Sequence, residues 1–299
     1  MKDKFKAHIG LGRFFALPCA VCAVLLGCTL GGSLSWISAM VVLAGIFQMA
    51  YSHSFNTLLD YSWTGFDKGT EEERSKGKVY TKGQQAIADR IVSPKEVLIN
   101  GLVYLAISAG FIAVVSWQVS PIIWPFWVLT SLCTFWYSWG KLHWNCELAL
   151  GMGFGPFAVM LGMASQPNPD FLLAFLAGIP FLILWGYAAE TIDQWTDAAP
   201  NWPRGLRNLG ALLWVNDASI TMFVSWLLTI TFLSQLFLIA AGVLHPLTAI
   251  SLISFIPFSF CLLYLGHHYQ PSIDTGIKWG LAGIVLHMIL LLVGQIIGG

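Results

Sequence analysis

Charge is what this sequence lacks. Lys, Arg, Asp and Glu together make up 10% of the 299 residues, whereas 57% are hydrophobic and the mean hydropathy is +0.71. An average soluble domain carries about 25% charge. A water-soluble globule, a disordered chain and a nucleic-acid binder are therefore excluded, because each needs far more polar or basic surface. The two signs balance at 15 residues each, so net charge identifies no partner. Cysteine is also sparse: Cys19, Cys22, Cys28, Cys133, Cys146 and Cys261 all fall in or beside apolar stretches. Neither Cys19-Ala-Val-Cys22 nor His143 with Cys146 has the second ligand pair that a zinc site needs, so all six read as packing residues. Internal repeats, low-complexity tracts and a separate soluble domain are missing as well.

What the chain has in quantity is long apolar runs. Crossing about 30 Å of hydrocarbon takes roughly 20 apolar residues in a helix. Nine stretches qualify: 13–31, 35–59, 96–117, 121–139, 147–165, 171–189, 217–243, 246–266 and 277–297. The expectation is one all-α integral membrane domain over residues 1–299 with nine transmembrane helices. Lys2, Lys4 and Lys6 before a run ending Leu26-Gly27-Cys28 loosely resemble a lipoprotein-type signal peptide. Arg13 interrupts that run and further spans follow, so it reads as a retained first helix. With the N-terminus inside, all 15 lysines and arginines fall on inner segments, and Asp170 is the one acid left outside. That predicts an N-in, C-out topology with the chemistry on the cytoplasmic side. The lack of a transit-like extension points to a prokaryotic inner membrane.

The two long inner connections follow the second and sixth helices. The second helix ends in Asn56-Thr-Leu-Leu-Asp60-Tyr-Ser-Trp-Thr-Gly-Phe-Asp67. Asn56, Asp60 and Asp67 project at about 0°, 40° and 20°, one face, provided that Gly65 does not stop the helix early. The sixth ends in Glu190-Thr-Ile-Asp193-Gln-Trp-Thr-Asp197, whose acids project at about 0°, −60° and −20°. Carboxylates at membrane depth are expensive and mark a function or a pair. Two such clusters suit Mg²⁺, which binds through one or two carboxylates and takes phosphate oxygens as further ligands. Arg13, Arg74, Lys76, Lys78, Arg90, Arg204 and Arg207 suit a polyanion such as diphosphate. Metal, diphosphate and an apolar interior together point to a lipid diphosphate. Glu71-Glu72-Glu73 reads instead as a solvated loop, as do His267 and His268. His53 lies three residues before Asn56 on about the same face, where it borders the site or packs as a helix residue. Glu147 either orients an acceptor or acts as a base, or is a helix N-terminal acid favoured by the dipole.

On these motifs the chain resembles the UbiA superfamily of intramembrane prenyltransferases over nearly its whole length. Asn56-xxx-Asp60 with Asp67 looks like the first Asp-rich motif, followed by Arg90-Ile-Val-Ser-Pro-Lys-Glu-Val-Leu98. Glu190-xx-Asp193-xxx-Asp197 with Arg204-Gly-Leu-Arg207-Asn-Leu209 looks like the second. Arg13-Phe-Phe-Ala-Leu-Pro18, Val24-Leu-Leu-Gly27 and Glu147-Leu-Ala-Leu-Gly-Met-Gly-Phe-Gly-Pro156 are similar to the 1,4-dihydroxy-2-naphthoate prenyltransferase branch of menaquinone synthesis. Thr57, Trp63, Leu206 and the Ala-Pro-Asn-Trp-Pro stretch before Arg207 depart from the pattern.

The resemblance implies a nine-helix bundle around a central cavity open to the cytoplasmic side, with two Mg²⁺ ions and a polyprenyl diphosphate between the motifs. It implies metal ligation by Asn56, Asp60, Asp193 and Asp197, supported by Asp67 and Glu190. Arg13, Arg90, Lys141 and Arg207 would meet the diphosphate, and His53, Tyr61, Tyr137, Glu147 and Tyr187 would line the substrate cavity. The implied reaction ionises the diphosphate and transfers the prenyl group to an aromatic acceptor. Two alternatives stand beside it: a cyclase of the same type, in which the cation is captured by its own double bonds, and a transporter, which would instead want midplane charges, interrupted helices and often a repeat.

Overall fold

The computed structural model describes residues 2–13, 16–32, 34–66, 86–267 and 270–298. Those residues are all helical where regular, with no strand among them. Asp67, Glu71-Glu72-Glu73, Arg74, Lys76, Lys78 and His268 lie outside the described residues.

The elements are α1 (Lys2–Leu11), α2 (Leu17–Gly31), α3 (Trp36–Thr64), α4 (Pro94–Gln118), α5 (Ile123–Gly140) and α6 (Cys146–Met163). They are followed by α7 (Phe171–Thr196), α8 (Leu209–Val215), α9 (Ile220–Ala240), α10 (Pro246–Leu265) and α11 (Gln270–Gly298). Seven helices among the described residues are long and apolar enough to cross a membrane: α3, α4, α6, α7, α9, α10 and α11. The other two expected spans fall outside that count. α2 has 15 residues, because the chain turns at Arg13 (φ 45°) and the helix starts only at Leu17-Pro18. α5 has 18 residues but carries Thr130, Ser131, Thr134 and Ser138. Large side chains such as Leu98, Ile99, Leu102, Val103, Phe237, Ile256 and Ile297 face outward. An apolar exterior of this extent needs lipid around it, and the protein is an integral, multi-pass membrane protein.

Local signals set the boundaries. Ser35 and Ser93 form capping boxes at the starts of α3 and α4, the second with Glu96 and with Pro94 at the first helical position. Asp170, Asn208 and Ser219 accept from backbone N–H groups to start α7, α8 and α9. Gly65, at φ 74°, ends α3, and the expectation for Asp67 lies outside the described residues. α11 packs on both α2 and α10, and one apolar core runs from Cys19 and Leu26 through Phe181 to Leu292. The six cysteines are buried and free, as packing residues should be.

Candidate active site

α3 and α5 run side by side in the same direction, joined by polar contacts at every turn. Gln48 Nε2 donates to Thr130 Oγ1 at 2.6 Å, Thr134 Oγ1 donates to Ser52 Oγ at 2.7 Å, and Ser138 Oγ donates to Asn56 Oδ1 at 3.2 Å. The last rung is ionic: Lys141 Nζ meets Asp60 Oδ2 at 2.6 Å and lies 3.5 Å from Asn56 Oδ1. Within an apolar bundle every such group needs a partner, and a spacing of four residues on α3, and of four and finally three along α5, gives each one in turn.

The second acidic motif is set by an unusual stretch of α7. Residues Leu182–Ala189 form a π-helix, in which the backbone N–H of Glu190 bonds the carbonyl of Trp185 five residues back. Such wide turns cluster at functional sites. Here that bond sets the Trp185 carbonyl one wide turn before the Glu190 N–H. Gly186 lets α7 lie against α6, since a Cβ there would sit 2.5 Å from Glu147 O and 2.6 Å from Gly151 N. Glu190 is buried, and its Oε1 accepts from Tyr137 OH at 2.6 Å. Gln194 Nε2 also reaches Tyr137 OH at 3.4 Å, and Asn208 Nδ2 donates to Gln194 Oε1 at 3.1 Å. Tyr137 thus ties α5 to the acid-bearing end of α7.

Between these helices lies a cavity of about 210 Å³. Its deep wall is apolar, with Val24, Leu161, Leu228, Phe258 and Ile284 among its residues. Arg13, Asn56, Glu190 and Asp193 line it too, with Tyr137 beside them and Gln48, Ser52, Thr130 and Thr134 along the α3–α5 wall. An amphiphile with a charged head and a hydrocarbon tail matches this division.

The residues expected from sequence divide accordingly. Arg13, His53, Asn56, Tyr137, Glu190 and Asp193 line the cavity. Asp60 and Lys141 stand behind Asn56 as a buried ion pair, and Asp197 caps the end of α7 outside the cavity wall. Arg207 is turned onto its own loop, its guanidinium 4.0 Å from the Trp202 ring and bonded to the carbonyls of Trp202 and Leu206. Arg90 and Tyr61 border a separate crevice with Lys4 and Glu96. Tyr187 is half-buried on the π-turn and outside the cavity wall. Glu147 is buried on α6, where its Oε1 accepts the N–H of Leu209 at 2.6 Å and so anchors the first residue of α8. Arg13 and Arg90 both adopt left-handed backbone, φ 45° and 56°, a conformation that costs roughly 1–3 kcal/mol and gathers at functional sites.

Sequence reasoning missed the polar wall of Gln48, Ser52, Thr130 and Thr134 and the pairing of its two helices. The first had a signal: Gln48, Ser52 and Asn56 recur every fourth residue in an otherwise apolar span, as do Thr130, Thr134 and Ser138.

Among the described residues, no three His, Cys, Asp or Glu side chains converge as a self-contained metal cage. The donor chemistry nevertheless fits Mg²⁺ shared with a substrate. Asn56 on α3, with Asp60 behind it, and Glu190 and Asp193 on α7 bring hard oxygens to one end of the cavity, and Mg²⁺ needs only one or two carboxylates when phosphate fills its other positions.

The model of the UbiA prenyltransferase family matches residues 15–277. A search of curated protein sequences finds no match. The apo structure of a UbiA homologue from Aeropyrum pernix K1 superposes with a TM-score of 0.68 at 16% identity, covering 94% of this chain and 97% of that one. A structure of a digeranylgeranylglyceryl phosphate synthase matches with a TM-score of 0.60 at 15% identity, covering 100% and 99%. A UbiA homologue from Archaeoglobus fulgidus bound to GPP and Mg²⁺ matches with a TM-score of 0.60 at 14% identity, covering 96% and 99%. At these identities the likeness carries the fold.

Proposed function

The chain belongs to the UbiA prenyltransferase family, and from that premise we propose that it transfers the prenyl group of a polyprenyl diphosphate to an aromatic acceptor inside the membrane. The observation that carries this reading is one cavity with an apolar wall and, at one end, Arg13, Asn56, Glu190 and Asp193. In this reading all nine apolar helices span the membrane, the N-terminus is cytoplasmic and the acid end of the cavity opens to the cytoplasm. The match of Arg13 to Pro18 and of Glu147 to Pro156 with the naphthoate branch favours a quinone precursor as acceptor.

Two Mg²⁺ ions would be held by Asn56 and Asp60 on α3 and by Asp193 and Asp197 on α7. Bound there, Mg²⁺ supplies neutralisation of the charge that develops on the departing diphosphate. The chain's own groups do the rest. Arg13 meets the diphosphate as a fixed guanidinium. Lys141 holds Asp60 in place and adds positive charge behind Asn56. Tyr137 orients Glu190 through its hydroxyl. Val24, Leu161, Leu228 and Ile284 enclose the prenyl chain and exclude water from the allylic cation, whose charge the Tyr137 ring also faces. The C–O bond to diphosphate breaks with its electron pair going to oxygen. A ring carbon of the acceptor then supplies the pair for the new C–C bond, and the ring proton leaves to diphosphate or water.

The test is to incubate purified protein in nanodiscs with geranyl, farnesyl and geranylgeranyl diphosphates and Mg²⁺, with and without hydroxylated aromatic acids. A product of prenyl-plus-acceptor mass is expected. Acceptor-independent release giving a hydrocarbon or terpene alcohol would make the enzyme a cyclase, and an intact diphosphate with every donor would defeat both readings.

A further inference from the structure

Among the polar atoms of the cavity-lining side chains that are sealed from solvent without a hydrogen-bond partner among the described residues are His53 Nε2 and Trp185 Nε1. Both flank the same ring. Phe154 lies 6.4 Å from His53 and 5.6 Å from Trp185, centroid to centroid, and all three side chains line the cavity. They do not belong to the acid end itself. His53 precedes Asn56 by three residues, an axial rise of about 4.5 Å, and Trp185 lies one π-turn before Glu190. The pair therefore sits about one turn back along α3 and α7 from Asn56 and Glu190, in a cavity whose wall also includes the small residues Gly153, Ala188 and Ala189.

A buried donor or acceptor left unmade is costly, and native proteins keep such groups few. A prenyl chain cannot satisfy either atom, since hydrocarbon neither donates nor accepts. A planar ring bearing oxygen can. Its hydroxyl oxygen accepts from the indole N–H of Trp185, the same hydroxyl donates its proton to the imidazole nitrogen of His53, and its face packs on Phe154 in the offset geometry that aromatic pairs prefer. We infer that His53, Phe154 and Trp185 form the acceptor subsite, which selects a hydroxylated aromatic ring and holds it one turn below the carbon that loses diphosphate. The inference rests on the prenyl-transfer reading, and it assigns specificity to two hydrogen bonds rather than to the acidic motifs. A site built to bond a hydroxyl rejects the analogue that lacks it, because its own buried groups are then left unpaired.

The experiment uses full-length protein in nanodiscs, loaded with Mg²⁺ and the unreactive farnesyl thiodiphosphate, and titrated calorimetrically with 1-hydroxy-2-naphthoate or 2-naphthoate. These probes differ by one hydroxyl. Wild-type protein is expected to prefer the hydroxylated probe by about tenfold or more, and Trp185→Phe and His53→Leu are each expected to reduce that preference to about twofold or less. Variants are compared only in preparations that still bind the thiodiphosphate, and if His53→Leu does not, Trp185→Phe decides alone. A preference unchanged by the substitutions would overturn the subsite, as would failure of both probes to bind loaded wild-type protein. In that last case, retained Mg²⁺-dependent binding of the thiodiphosphate would leave the donor half of the proposed function standing, whereas its loss would remove that function as well.

Discussion

Lys141 Nζ donates to Asp60 Oδ2 at 2.6 Å, with the two side chains 6% and 4% exposed. This pair ends the α3–α5 ladder and fixes the first acidic motif. Removing one partner of a buried pair leaves an uncompensated charge and costs about 3–5 kcal/mol. Lys141→Met should therefore lower the unfolding temperature sharply in detergent. Lys141→Met combined with Asp60→Leu should recover most of the loss while diphosphate release stays abolished. Thermal unfolding followed by intrinsic fluorescence reads the first effect, and a diphosphate-release assay reads the second.

Tyr137→Phe removes the donor to Glu190 and leaves a buried carboxylate oxygen with one fewer partner. A loss of about 1–3 kcal/mol is expected, together with a lower kcat as Glu190 loses its orientation. Glu190→Gln keeps an accepting oxygen and should unfold near the wild-type temperature. A Tyr137→Phe protein indistinguishable from wild type in both respects would contradict the role given to this bond.

Gly186 is where α6 and α7 touch through their backbones. Gly186→Ala forces them apart and should cost about 1–3 kcal/mol. Gly110→Ala on α4, where an added Cβ meets nothing within 4 Å, serves as the neutral control. Equal unfolding temperatures for the two variants would argue against close approach at the acidic end of α7.

Arg13 lines the cavity whereas Arg207 is stacked on Trp202. Arg13→Gln should raise KM for the prenyl diphosphate about tenfold or more, the weight of a lost charge-assisted contact. Arg207→Gln should move KM much less and act mainly on stability. The reverse order in initial-rate kinetics would place the diphosphate against the α7–α8 loop instead.

Seven of the nine expected spans were legible because an unbroken apolar run of span length is stable in lipid and in few other surroundings. The acid-bearing ends were legible because Asn56, Asp60, Glu190, Asp193 and Asp197 are the wrong residues for lipid. Helix pitch was not legible. Projection at 100° per residue assumes a constant turn, whereas Gly65 ends α3 and the π-turn of 182–189 widens the pitch of α7 just before Glu190. Side-chain direction in connections was not legible either. Arg90 and Arg207 carry the charge expected of diphosphate ligands, yet local backbone turns aim one into a separate crevice and the other onto Trp202. The α3–α5 ladder was half legible, as a four-residue spacing on each helix whose mutual pairing only the fold supplies.

The central claim, that one cavity holds the donor head at the acidic motifs and its tail in the apolar bundle, is tested most directly by a structure in nanodiscs with Mg²⁺ and farnesyl thiodiphosphate. The thiodiphosphate and metal are expected between Asn56 and Asp60 on α3 and Asp193 and Asp197 on α7, with the farnesyl chain running toward Leu161, Leu228 and Ile284. Thiodiphosphate bound in the crevice of Arg90 and Lys4, or a farnesyl chain lying outside the central cavity, would contradict that claim.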